Sequence, residues 1–95
     1  MDRVEAKWLL LRSLAEYRQY DYEQLLELMG EPRCVELVAA SGREYHVEFE
    51  PIWDAQPNGD IRVLGSIYDY GWRTFVPLTY DFLVSPPQHT MSSRP

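Results

Sequence analysis

Cysteine occurs once in this sequence, at Cys34, so no intrachain disulfide can form and no thiol cluster can define a metal site. A reducing, cytoplasmic setting is the expectation. Long apolar runs are missing as well. The longest near the start, Trp8 to Leu11, is too short for a membrane span or a signal-peptide core, and Asp2 and Glu5 spoil a positive leader. Bases are scarce: nine Lys and Arg face 15 Asp and Glu, a formal charge of −6. No basic stripe is available for nucleic acid, and the same field disfavours an anionic membrane surface. Neither nucleic acid nor membrane is expected as a partner. The five glycines, at 30, 42, 59, 65 and 71, stand singly, which excludes a phosphate-cradling loop.

What is present is an ordinary globular balance, 45% apolar and 25% charged over 95 residues, which fits a single core. The expected domain is 1–85, of α+β class, with two N-terminal helices packed on an antiparallel β-meander of about four strands. Residues 86–95 (PPQHTMSSRP) have the small, polar, proline-rich composition of a disordered tail.

From position 4 to about 18, Val4, Trp8, Leu11, Leu14 and Ala15 recur at three- and four-residue intervals, the stripe of an amphipathic helix that Leu9 and Leu10 widen. A helix this apolar can also dock on another chain. A second helix, about 21–29, opens at Asp21, whose side chain can cap free amides while Gln24 returns the bond. It closes at Gly30, with Pro32 soon after. Tyr17, Tyr20 and Tyr22 pack the joint between the helices.

After Pro32 the period changes from helical to alternating. Strands are expected at about 34–40, 43–53, 61–68 and 72–77, with residues 78–84 (LTYDFLV) a further short strand or turn. Ser41-Gly42, Asn58-Gly59 and Tyr70-Gly71 supply the reversals. In the second strand, Tyr45, Val47, Phe49 and Trp53 face inward, and Glu44, His46, Glu48 and Glu50 face outward. Pro51 places that end of the strand at an edge or bulge. Gly65 invites a large neighbour, for which Trp53 or Trp72 is the expected filler.

The run from Asp21 to Pro86, with its DYEQLLELMGEP helix, YHVEFEPIWD strand and LGSIYDYGWRTFVPL hairpin, resembles small bacterial proteins, a likeness that brings no active-site residues with it.

Chemistry has few footholds. Glu44, His46, Glu48 and Glu50 line one strand face about 6.6–7 Å apart, so two neighbours can converge on a metal that Asp69, Asp81 or His89 would complete. The plainer reading is a wet strand face with Arg62 and Arg73 as cross-strand partners. Cys34, Ser13, Ser41 and Ser66 are possible nucleophiles with only His46 and His89 as imidazole bases, and none sits in a G-x-S-x-G frame. Asp54, Asp60, Asp69 and Asp81 fall near turns, where backbone capping accounts for them.

The expectation is therefore a non-enzymatic module that binds a protein partner or itself, with no cofactor and no metal. Its candidate binding residues are Tyr68, Tyr70 and Trp72 on the sheet and Trp8 on the first helix, which also serves as a docking arm in a homodimer. The alternative is a metal-dependent or carboxylate enzyme centred on His46 and Glu48, with Glu44 beside them.

Overall fold

The computed structural model describes residues 2–69 and 77–87. One long helix, α1 (Arg3–Tyr17), and one short one, α2 (Tyr22–Glu27), accompany four strands: β1 (Arg33–Val38), β2 (Glu44–Trp53), β3 (Ile61–Asp69) and β4 (Leu78–Val84). The strands form one antiparallel sheet in the order β1-β2-β3-β4, so the class is α+β. Among the described residues, no helix is long and apolar enough to cross a membrane.

Local chemistry sets the boundaries. Asp2 caps α1, its carboxylate accepting from the amides of Val4 and Glu5 at 3.1 Å each. Asp21 and Gln24 form the expected capping box: the Gln24 amide donates to Asp21 Oδ1 at 2.8 Å, and the Asp21 amide to Gln24 Oε1 at 2.9 Å. Gly30 takes φ +75° after α2, a left-handed conformation that glycine adopts without steric cost. Its amide donates to the Pro51 carbonyl at 3.1 Å. Pro51 thus turns its missing donor toward a stretch where β1 has already ended, since the β1–β2 ladder stops at the Arg33–Phe49 pair.

The strand expected at 72–77 lies, apart from Pro77, outside the described residues, and residues 78–84, expected as a short strand or turn, form the strand beside β3. LTYDFLV alternates regularly between half-buried and exposed positions, as a strand with one face on the core does. The expected tail at 86–95 lies outside the described residues from position 88 onward.

The apolar stripe of α1 divides: of Val4, Trp8, Leu11, Leu14 and Ala15 only Leu14 is buried, and the helix meets the sheet through Ala6, Leu10, Leu14 and Tyr17. Gly65 supplies the reason. It sits mid-strand between Val63 and Ile67, opposite Phe49 on β2, and leaves a gap in the sheet surface. A Cβ there would lie 3.0 Å from Leu14 Cδ2 and 3.3 Å from Leu10 Cδ1, so these two leucines fill the gap rather than Trp53, while Trp72 lies outside the described residues. Ala6 and Tyr17 extend the same seam, and Tyr17 stacks on Phe49 with ring centroids 4.6 Å apart. Tyr45, Val47, Ile61, Val63 and Ile67 complete the layer beneath, all fully buried.

Candidate functional site

With Leu10 and Leu14 turned inward, the rest of α1's apolar surface points away from the sheet. Val4 and Trp8 are each 69% exposed, Leu11 is half-buried and Ala15 exposed. At a helical period of 3.6 residues these four positions share one face, centred on Trp8. An indole this open is a departure from the usual location of tryptophan and marks a surface worth reading as a contact site.

Two shallow hollows flank the indole. One is lined by Arg3, Val4, Lys7, Trp8, Leu11 and Leu78, the other by Trp8, Leu9, Leu11 and Arg12. Among the described residues, neither hollow has an acidic wall. The acids of α1 are directed elsewhere: Glu5 accepts hydrogen bonds from the hydroxyls of Ser41 and Tyr45, both at 2.9 Å, and Glu16 lines a separate groove with Tyr20, Arg33 and Val35. In a chain of net charge −6, this face is therefore apolar with a basic rim.

The Glu5 contact has a measurable consequence. Burial pushes the Tyr45 hydroxyl up to about 12, and its hydrogen bond to Glu5, with that carboxylate's charge, adds to the rise. A tyrosine raised from its ordinary value of about 10 contributes stability that is complete below pH ~10 and is lost as pH climbs through the folded value. Tyr45→Phe is expected to cost about 1.5 kcal/mol at neutral pH in urea unfolding. The gap between the two proteins should then narrow steadily above pH ~10. A gap independent of alkaline pH would remove the contact from the account of stability.

On the face of the sheet opposite α1, His46 stacks on Tyr68 with centroids 5.2 Å apart, and Cys34 Sγ lies 3.6 Å from His46 Nδ1. Desolvation raises the Tyr68 hydroxyl above its ordinary value, with the Glu48 carboxylate reinforcing the shift. Glu44, His46 and Glu48 do share this face at strand spacing, yet among the described residues no group of three or more His, Cys, Asp and Glu side chains is drawn together to hold a metal ion. Arg62, expected across from these residues, instead bridges Asp54 at 2.6 Å and Asp81 at 3.0 Å. Two of the turn acids, Asp54 and Asp81, thus meet on one guanidinium, whereas Asp69 pairs with Arg43 at 3.5 Å at the far end of β3. Tyr70, Trp72, Arg73 and His89 lie outside the described residues.

No family model matches the chain, and no curated protein or solved structure does either. The geometry alone therefore carries the functional reading.

Of the sequence-derived candidates, Trp8 stands on the basic-rimmed helix face and Tyr68 on the sheet face opposite α1. Sequence reasoning missed Arg3, Lys7, Arg12 and Leu78 as neighbours of Trp8. The first three were legible on a helical wheel once Trp8 was taken as outward, whereas Leu78 required the β3–β4 register. The Cys34–His46 approach was equally hidden, because the two are diagonal neighbours only once Cys34 pairs with Glu48 and Glu36 with His46.

Proposed function

We propose that this domain is a non-enzymatic protein-interaction module whose contact surface is the outer face of α1. The observation that carries the reading is Trp8, held 69% exposed at the centre of an apolar stripe on a helix whose other face is fixed to the sheet. Tryptophan offers a large rigid contact area at small entropic cost and is enriched where partners bind most tightly. A helix anchored by Leu10 and Leu14 presents that area in one orientation, which lowers the cost of ordering on association.

Replacing Trp8 by photoreactive benzoylphenylalanine in the full chain, within its native cells, tests the proposal. Illumination should give one or a few discrete adducts, and the same group at the exposed position Glu23 should give none of them. An adduct of twice the chain's mass would specify self-association. Identical products from both positions, or none from position 8, would sink the reading.

A further inference from the structure

We infer that the outer face of α1 receives an acidic amphipathic segment of a partner protein, its apolar side chains lying on either side of Trp8 and its carboxylates against Arg3, Lys7 and Arg12. The inference rests on the interaction-module reading and names the chemistry of the partner.

Charge decides among the occupants. Among the described residues, every ionisable side chain lining the two hollows is a base, although bases are outnumbered nine to 15 in the chain as a whole. The acids that would have neutralised the rim are turned away, Glu5 held by Ser41 and Tyr45 and Glu16 facing the groove toward β1. Carboxylates beside the rim gain attraction with both kinds of charge at the water boundary, where little desolvation is demanded. A second copy docking through the same face would set Arg3, Lys7 and Arg12 against their equivalents, and like charges across an interface cost affinity. A basic segment meets the same repulsion. An anionic bilayer would be attracted to this rim but repelled by the −6 charge of the chain.

Shape agrees with an amphipathic occupant. The hollows lie on the two sides of one indole and share Leu11 as a common wall, so a helix or turn carrying apolar residues three or four positions apart can straddle Trp8. Leu78 closes the β4 side of one hollow, and Lys7 leans there toward Tyr80, its ammonium 6.0 Å from the ring centroid. The other hollow ends at Arg12.

The test is selection of displayed random peptides on the full-length protein, with counter-selection on Trp8→Ala and synthesis of the survivors. Survivors should combine large apolar residues at helical spacing with net negative charge. Their affinity should fall about tenfold or more in a Lys7→Glu/Arg12→Glu variant and weaken with added salt. Neutral or basic survivors, or no Trp8-dependent survivor at all, would overturn the inference. Two further measurements separate its failure from that of the broader reading. Light scattering that shows a Trp8-dependent dimer would leave an interaction module but remove the acidic partner. Trp8-dependent sedimentation with phosphatidylserine vesicles, without acidic peptides emerging, would replace a protein partner by a lipid surface.

Discussion

Leu14→Ala is expected to destabilise the domain by about 2–5 kcal/mol, whereas Trp8→Ala should change its stability by only about half a kcal/mol. Both residues belong to the apolar stripe visible in the sequence, and only the direction each one faces separates them. Leu14 is 2% exposed and rests against Gly65, so truncation leaves a cavity that a glycine below cannot fill. Trp8 is 69% exposed, and most of what it loses on truncation is contact with water. Against the total of about 5–15 kcal/mol typical of small domains, the leucine change is a large fraction and the tryptophan change a minor one. Urea unfolding followed by far-ultraviolet circular dichroism measures both. If Trp8→Ala proved as costly as Leu14→Ala, the helix would be docked through the other face and the interaction surface would be core.

That contrast also shows where sequence stops being decisive. The alternation in β2 and β3 was readable because period two allows only two choices of face, and the glutamates of β2 fixed which one meets water. Helix α1 offered no such asymmetry. Between Trp8 and Leu11 four consecutive apolar residues point all round the axis, so two stripes compete, and the bases Lys7 and Arg12 border the outer one without marking it as solvated. The choice was made by tertiary fit, through the gap at Gly65, which becomes meaningful only when β3 is known to run under the helix. The end of the meander was open for a related reason: LTYDFLV reads equally as a short strand or a turn, and only its pairing with β3 decides for a strand. Caps, by contrast, are local, and Asp21 with Gln24 was legible in full.

If the gap at Gly65 orients α1, filling it should be felt throughout the helix. Gly65→Val is expected to cost about 2–3 kcal/mol, even though valine suits a strand better than glycine does. Its Cβ would meet Leu14 Cγ at 3.2 Å and Leu10 Cδ1 at 3.3 Å, and its two methyl groups would demand still more room. Neighbours on both sides are constrained, because Leu10 and Leu14 sit one helical turn apart on a helix that also packs Ala6 and Tyr17. The expected response is displacement of α1, seen as faster amide exchange along Arg3–Tyr17 while β1 and β2 exchange as before. A double-mutant cycle makes the cause specific. In Gly65→Ala/Leu14→Ala the added methyl occupies part of the space that the leucine vacates, so the pair should lose about 1 kcal/mol less than the sum of the single changes. Strict additivity would mean that the two side chains do not share a space, and the orientation of α1, with the outward direction of Trp8, would need another cause.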